Sequence, residues 1–217
     1  MAAALVHAEN LCFGFDPQAP LFTDLNFAIP SAGVTLVQGG ESRGKTTLLR
    51  LLAGQLQPTA GSLRMHDLAQ HEAALTGKIY AHDPRGPEWS EQTPRQFFAH
   101  MARQYPRFDH TTVHAMLEHL QLAEHADKAM FMLSTGSQRK VSWVAALACG
   151  ADLLLMDTPF AALDLTSIRK LHRLLSEGAT QHPSAWVLAD YLPPGEVPLA
   201  ALIDLGDEGL LNSPTDT

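Results

Sequence analysis

Cysteine is scarce in this chain of 217 residues, which contains only Cys12 and Cys149. Two thiols are too few for the disulfide framework of a small secreted domain, so we expect both to be free. The chain also lacks any apolar run of about 18 residues, which a helix needs in order to cross a bilayer. Residues 1–10 lack the basic segment and long apolar stretch of a signal peptide. Together these absences predict a globular protein of the cytoplasm.

Positive charge is also in short supply, because 15 Lys and Arg residues face 23 Asp and Glu residues, for a net charge of -8. A phosphate backbone would be repelled by this overall field, which disfavours a nucleic-acid partner. Hydrophobic residues make up 46% and charged residues 18% of the chain, as in ordinary globular proteins. This composition excludes wholesale disorder, and the length suits one domain with an inserted subdomain.

The hydrophobic pattern indicates an α/β protein. Apolar residues alternate between residue 3 and about residue 40, as in strands, and residues 151–157 form the apolar run of a buried parallel strand. Residues 84 to about 136 begin as a turn-rich loop and continue as helical segments, which indicates an inserted helical subdomain. Helices that alternate with apolar strands predict a mostly parallel central sheet flanked by helices. We treat residues 1–217 as one domain that ends in a hairpin over residues 199–212.

A phosphate-binding loop lies between a predicted strand and a predicted helix, where residues 39–47 fit the pattern G-x-x-x-x-G-K-[ST]. Glycines let successive backbone N–H groups point at an anion, and the start of the helix adds positive potential. In this chemistry Lys45 reaches the β- and γ-phosphates, and the Thr46 hydroxyl ligates Mg²⁺. A chance turn is the alternative, but the strand–loop–helix context disfavours it. The predicted nucleotide site comprises Gly39, Gly40, Glu41, Ser42, Arg43, Gly44, Lys45, Thr46 and Thr47.

Further motifs in a fixed order resemble those of the ATP-binding subunits of ABC transporters. Residues 133–137 (LSTGS) are similar to the signature motif, residues 153–157 (LLLMD) to the Walker B strand, and residues 158–164 (TPFAALD) to the D-loop. The resemblance extends from Leu11 to about Asp190. Within the family, the short length and the segment AHDP suggest the haem exporter type of cytochrome c maturation.

The resemblance implies a P-loop NTPase fold of ABC type, with an antiparallel N-terminal β subdomain and the inserted helical subdomain. It implies ATP and Mg²⁺ as cofactors. It also implies two kinds of partner, namely membrane-spanning transporter subunits and a second ATP-binding subunit, in a homodimer or a heterodimer. The expected location is peripheral, on the cytoplasmic face of the inner membrane.

The resemblance assigns roles to further positions outside the phosphate loop. Phe15 stands where the family places an aromatic ring that stacks on adenine, although core packing is an alternative. Asp157 is expected to hold Mg²⁺ together with Thr46. Ser134 and Gly136 are expected to contact the γ-phosphate of ATP bound to the other subunit, and Ser134 also fits an ordinary helix N-cap.

Several positions depart from the family pattern. Thr158 occupies the place of the glutamate that polarises the attacking water, and a hydroxyl cannot accept a proton at neutral pH. Asp83 stands at the Q-loop glutamine and Asp190 at the H-loop histidine, with alignments that can shift by one residue. Ser137 replaces the signature glutamine, and Ser42 replaces a P-loop glycine.

Thr158, Asp83 and Asp190 all belong to the composite site built on this chain's own P-loop, whereas the signature residues Ser134 and Gly136 are retained. Loss of a general base typically costs about 10²–10⁴ in rate. The hypothesis is therefore an ABC-type ATPase that binds ATP and hydrolyses it poorly. The alternatives are a homodimer that turns over slowly and a hydrolysis-deficient regulatory partner in a heteromeric complex. A translation or DNA-repair ATPase is disfavoured, because such proteins carry two cassettes or a long coiled coil.

The remaining candidate residues also fit purely structural or surface roles. His110 and His114 are four residues apart, but a metal site needs about three or four converging ligands, so we expect surface histidines. Phe97, Phe98 and Met101 either pack in the core or line a groove for a membrane subunit. Four arginines of the inserted segment either form a solvated face or meet acidic loops or lipid headgroups; they are Arg85, Arg95, Arg103 and Arg107.

Overall fold

The computed structural model describes residues 4–15, 20–66, 68–70, 72, 77–181 and 184–206. Within these ranges the chain forms two sheets, with helices packed on them. None of the helices in these ranges has both the length and the apolarity to cross a membrane. Cys12 and Cys149 are free thiols, as the sequence predicts.

An antiparallel sheet forms the N-terminal subdomain, which confirms the prediction for this part of the fold. Its strand order is β2-β1-β4-β5. The strands are β1 (Ala4–Phe13), β2 (Phe22–Pro30), β4 (Ala60–Met65) and β5 (Leu68–Ala69). Leu11 and Phe13 are buried at the end of β1, whereas Phe15 follows the strand and is exposed. Of the alternating residues Leu11, Phe13 and Phe15, only the first two therefore belong to the core.

A second sheet forms the centre of the fold, and every strand pair that the structure describes in it is parallel. Its strand order is β6-β7-β8-β3-β9. The strands are β3 (Gly33–Gln38), β6 (Ile79–Tyr80), β7 (Leu153–Asp157), β8 (Ala185–Ala189) and β9 (Leu199–Asp204). The apolar runs of β3, β7 and β8 are buried, as expected for strands covered on both faces.

Helices cover the central sheet and form the inserted segment. They are α1 (Lys45–Leu52), α2 (Pro94–Gln104), α3 (His110–His119), α4 (Thr135–Ala148) and α5 (Leu165–Gln181). The buried hydrophobic residues form two clusters. In one, the leucines of α1 pack against the sheet, and in the other, α4 and the inserted helices pack around Trp143 and Trp186. Mutual hydrogen bonds between Thr93 and Gln96 form a capping box that fixes the start of α2.

The inserted helices resolve one alternative that the sequence left open. Phe97, Phe98 and Met101 are all buried, so they pack in the core and do not line an open groove. The predicted C-terminal hairpin has its first strand, since β9 is present, but β9 pairs in parallel with β3. The second half of that hairpin, beyond residue 206, lies outside the described residues.

Candidate functional site

Three adjacent strands end at the same edge of the central sheet. Asp157 at the end of β7 lies opposite Ala189 at the end of β8, and Ala189 lies opposite Val37 of β3. The backbone N–H of Thr158 donates to the Ala189 carbonyl at 2.8 Å, and the N–H of Asp190 donates to the Val37 carbonyl at 3.1 Å. Ligands of open α/β sheets bind at such carboxyl ends, so this edge is the first place to seek a site.

The phosphate loop connects β3 to α1 at this edge. Gly44 has φ of 90° and stands immediately before α1, and a Cβ there would lie 2.7 Å from the Phe22 ring. Ser42 has φ of 58°, a left-handed conformation that glycine adopts more readily. The loop is fastened to the segment after β9, because the N–H of Gly40 donates to the Gly206 carbonyl at 3.0 Å.

Lys45 is buried at the centre of the loop. Its Nζ donates to the carbonyls of Gly39 at 2.6 Å and Gly40 at 2.7 Å. The ring of Tyr191 covers the same ammonium group, with 3.9 Å between Nζ and the ring centroid. These contacts hold a positive charge at the start of α1, an arrangement that suits a polyphosphate.

Thr46 and Asp157 form a pair of oxygen donors next to Lys45. The Thr46 hydroxyl donates to Oδ2 of Asp157 at 2.5 Å. A hydroxyl and a carboxylate are hard donors of the kind that Mg²⁺ takes together with phosphate oxygens and water. No group of three or more His, Cys, Asp or Glu side chains converges within the ranges described above. With two oxygen donors from the protein, the Thr46–Asp157 pair fits a metal that takes its other ligands from phosphate and water.

Thr158 adopts a left-handed backbone conformation, with φ of 45°, immediately after Asp157. A β-branched residue rarely does so, and such strain costs about 1–3 kcal/mol. The Thr158 hydroxyl accepts a hydrogen bond from Nη2 of Arg139 at 3.2 Å. The position that is predicted to lack the family's glutamate thus carries a hydroxyl whose hydrogen-bond donor is a buried cation.

Asp83 shares a cavity with the Thr46–Asp157 pair and is bound to Arg85. Nε of Arg85 donates to Oδ1 at 2.8 Å, and Nη2 donates to Oδ2 at 2.6 Å. Burial raises the pKa of Asp83, but the hydrogen bonds from Arg85 outweigh this effect and lower the pKa below its usual value. Asp83 therefore carries a negative charge that its neighbour already neutralises.

Asp190 follows β8 and is partly buried. Its Oδ1 accepts a hydrogen bond from the Tyr191 N–H at 2.8 Å. Burial is the main effect that raises the pKa of Asp190, and the nearby charge of Asp157 adds to it. An acidic side chain thus stands close to the Thr46–Asp157 pair, at the position predicted from the sequence to match the H-loop histidine.

Two cavities at this edge bring most of the predicted residues together. The larger, of about 500 Å³, is lined by Phe15, Lys45, Thr46, Asp157, Thr158 and Tyr191 among others. Phe15 is 66% exposed and lines this cavity, so its ring does not belong to the core. It packs edge-to-face on Phe13, with 5.0 Å between the ring centroids. The smaller cavity, of about 180 Å³, joins Thr46 and Asp157 to Asp83, Arg85 and Arg139.

The signature residues lie apart from both cavities. Ser134 is the N-cap of α4, where its Oγ accepts from the Ser137 N–H at 3.1 Å. Gly136 packs against the D-loop, since a Cβ there would lie 2.5 Å from the Ala162 carbonyl oxygen. Ser134 thus has the capping role that the sequence allows, and it is also exposed toward solvent.

Neither Tyr191 nor Arg139 belongs to a motif that the sequence pattern marks. Tyr191 was visible only as the residue after Asp190, and Arg139 only as part of the helix after the signature. Three of the four arginines of the insertion pair with separate carboxylates: Arg85 with Asp83, Arg95 with Asp127, and Arg107 with Asp152. These three side chains therefore form ion pairs within the chain. The fourth, Arg103, is exposed on α2.

Comparison with known proteins gives the context of this site. The sequence model of the family described as ABC transporter matches residues 22–161. The cytochrome c biogenesis ATP-binding export protein CcmA of Paramagnetospirillum magneticum is 33% identical over 162 residues, which cover 72% of this chain and 75% of that protein. The sulfate/thiosulfate import ATP-binding protein CysA of Salmonella typhi is 32% identical over 168 residues, 72% of this chain and 45% of that protein.

The fold has counterparts among solved structures. The structure of cbiO1 from Clostridium perfringens, which is part of the ABC transporter complex cbiONQ, superposes with a TM-score of 0.68 at 20% identity. The match covers 87% of this chain and 79% of that one. Because an export protein and an import protein match at nearly equal identity, the comparisons do not single out the haem exporter type.

Proposed function

Since the chain belongs to the ABC transporter family of ATP-binding proteins, we propose that it is an energy-coupling subunit that works with separate membrane-spanning subunits. ATP and Mg²⁺ occupy the edge of the central sheet. The phosphates lie against residues 39–47, with Lys45 at the β- and γ-phosphates and the adenine on Phe15. Thr46 and Asp157 hold the Mg²⁺, which neutralises phosphate charge when bound.

ATP hydrolysis at this site is slow. The observation that carries this proposal is the hydrogen bond from Arg139 to the Thr158 hydroxyl, at the position where a glutamate would polarise the attacking water. Asp83 does not replace that base, because Arg85 binds both of its carboxylate oxygens. Asp190 offers a carboxyl group where the family pattern calls for a histidine.

The chain lends its signature to a second ATP-binding subunit. Ser134 and Gly136 lie at the start of α4, and the Ser134 side chain is exposed. In such a dimer the retained signature completes the partner's site, whereas the altered residues remain in this chain's own site. This division favours a heterodimer with a hydrolysing partner, in which ATP bound here acts mainly by closing the complex. A homodimer that turns over slowly is the competing arrangement.

Nucleotide titration of the purified chain tests the site. Lys45→Ala is expected to weaken Mg·ATP binding by at least about tenfold, since a charge-assisted phosphate contact is lost. Lys128→Ala is the matched control, because Lys128 is an exposed lysine of the inserted segment. Equal Mg·ATP affinities of the two variants would contradict the proposal that ATP binds at Lys45.

Affinity purification from membranes, followed by mass spectrometry, tests the partners. We expect membrane-spanning subunits to co-purify with the chain, together with a second ATP-binding protein that has a glutamate after its Walker B aspartate. Recovery of this chain without any membrane subunit would contradict the transporter role. Recovery of membrane subunits with this chain as the only ATP-binding protein would favour the homodimer.

A further inference from the structure

Arg139 is a buried cation, only 7% exposed, that lines the smaller cavity together with Thr46 and Asp157. It lies in the second turn of α4, and its guanidinium points into the turn that follows β7. Nη1 donates to the Ala161 carbonyl at 2.5 Å, and Nη2 donates to the Thr158 hydroxyl at 3.2 Å. One side chain thus bonds the residue after the Walker B aspartate and the middle of the D-loop.

Other contacts from α4 support the same turn. Nε1 of Trp143 donates to the Pro159 carbonyl at 3.0 Å, and Lys140 forms an ion pair with Asp164 at 3.2 Å. The turn contains left-handed backbone at Thr158 and at Ala162, with φ of 45° and 61°. Such conformations persist where the surroundings hold them, and Arg139 contacts the strained part of the turn that lies nearest to Asp157.

Charged groups surround Arg139 on the cavity side. Asp83, Asp157 and Asp190 all lie near enough to stabilise its charge, and Arg85 is a like charge. The guanidinium stays protonated in proteins, so the positive charge is permanent. Its Nε is buried and has no hydrogen-bond partner among the residues that the structure describes. Leaving a buried donor unpaired is unfavourable, so the two bonds from the terminal nitrogens are made at some cost.

The position of Arg139 has a consequence for the general base. The Thr158 hydroxyl sits on Cβ and lies 3.2 Å from Nη2 of Arg139, so a glutamate there, which is two carbons longer, can turn its carboxylate onto the guanidinium. Such pairs form short, charge-assisted and often bidentate bonds. A carboxylate held in this way has its lone pairs occupied and accepts a proton from water poorly. A glutamate at residue 158 would therefore be captured by Arg139 instead of orienting water.

We propose that Arg139 is a positioning residue that fixes Thr158 and the D-loop and keeps the general-base position inactive. This inference rests on the proposed function and deepens it, because slow hydrolysis then depends on two residues and not on Thr158 alone. Arg139 acts through the turn that it holds, and it is not assigned a contact with the nucleotide.

The test is a set of variants in which the base and the cation are changed separately and together. They are Thr158→Glu, Arg139→Gln, and Thr158→Glu combined with Arg139→Gln or with Arg139→Lys. Steady-state ATP turnover and KM are measured for each variant, and thermal melting confirms that each is folded. Thr158→Glu alone is expected to stay close to the unaltered chain. The combination with Arg139→Gln should raise kcat at least about tenfold with KM unchanged, a modest part of what a general base supplies.

The combination with Arg139→Lys keeps the positive charge and should remain as slow as Thr158→Glu alone. A purely structural role would not separate glutamine from lysine in this way. Equal turnover of Thr158→Glu and its combination with Arg139→Gln, whether both are fast or both are slow, would overturn the proposal. So would equal turnover of the glutamine and lysine combinations.

A crystal structure of the Thr158→Glu variant gives a reading that does not depend on folding of the Arg139 variants. We expect the introduced carboxylate to bond the Arg139 guanidinium, and a carboxylate directed toward Lys45 and Thr46 would contradict the inference. Failure of the proposed function is recognised separately, by fast turnover of the unaltered chain or by ATP binding that does not depend on Lys45. Neither of those results changes where the introduced carboxylate lies.

Discussion

The ring of Tyr191 lies over the ammonium group of Lys45, with 3.9 Å between Nζ and the ring centroid. The same ammonium group donates to the carbonyls of Gly39 and Gly40, so the ring occupies a remaining side of the cation. A cation–π contact of this kind is worth about 0.5–1 kcal/mol at an exposed site. Tyr191 is 47% exposed, which places the contact in that range.

The first prediction concerns this contact. A phosphate must compete with the ring for Lys45, so Tyr191→Ala should tighten Mg·ATP binding by about two- to fivefold, the equivalent of about 0.5–1 kcal/mol. Tyr191→Phe keeps the ring and should bind ATP as the unaltered chain does. Nucleotide titration measures both affinities. Weaker binding by both variants would show instead that the hydroxyl contacts the nucleotide.

The second prediction concerns the packing of the signature against the D-loop. Gly136→Ala would place a Cβ 2.5 Å from the Ala162 carbonyl oxygen, which forces backbone to shift. We expect the free energy of unfolding to fall by about 1–3 kcal/mol, as for other overpacked sites. Gly178→Ala is the matched control, because a Cβ on that helical glycine meets nothing within 4 Å. Urea denaturation compares the two, and an equal loss in both variants would contradict the close approach.

The third prediction concerns His82, whose ring lies among Tyr80, Trp89 and Tyr105 at centroid distances of 5.7, 6.4 and 6.0 Å. Burial is the main effect that lowers the pKa of His82, and the charge of His100 lowers it further. The unfolded chain then binds the proton more readily than the folded chain. The stability contributed by the neutral ring is present above pH ~6.5 and is lost as the pH falls below that value.

Replacement of His82 tests this pH dependence. In His82→Gln, the decline in the free energy of unfolding between about pH 7 and pH 5 should become shallower. His114→Gln is the control, because His114 is exposed on α3. Urea denaturation at each pH supplies the free energies. A decline as steep in His82→Gln as in the unaltered chain would show that other groups cause it.

Local patterns made much of the fold predictable. The phosphate loop could be identified because its glycines, lysine and threonine are fixed by the geometry of one turn. The central strands could be identified because parallel strands covered on both faces are almost continuously apolar, as in β7 and β8. The antiparallel N-terminal sheet followed from the family resemblance.

Contacts at the site between segments that are distant in the sequence could not be predicted from the sequence. The bond from Arg139 to Thr158 joins residues 19 apart, and whether it forms depends on how α4 lies against the turn after β7. Tyr191 reaches Lys45 only because β3 and β8 are neighbours with aligned ends. The exposure of Phe15 could not be predicted either. Alternation places Phe15 on the same face as the buried Phe13, but β1 ends at Phe13 and the chain beyond it no longer follows the strand.

ATP turnover of the purified chain, measured at saturating Mg·ATP, tests the central claim most directly. The chain should bind ATP with an affinity that depends on Lys45 and yet turn over far more slowly than about 1 s⁻¹, the low end of typical enzymes. A deficit of about 10²–10⁴ is the size expected for a missing general base. Turnover at about 1 s⁻¹ or faster, abolished by Lys45→Ala, would contradict the claim that hydrolysis at this site is impaired.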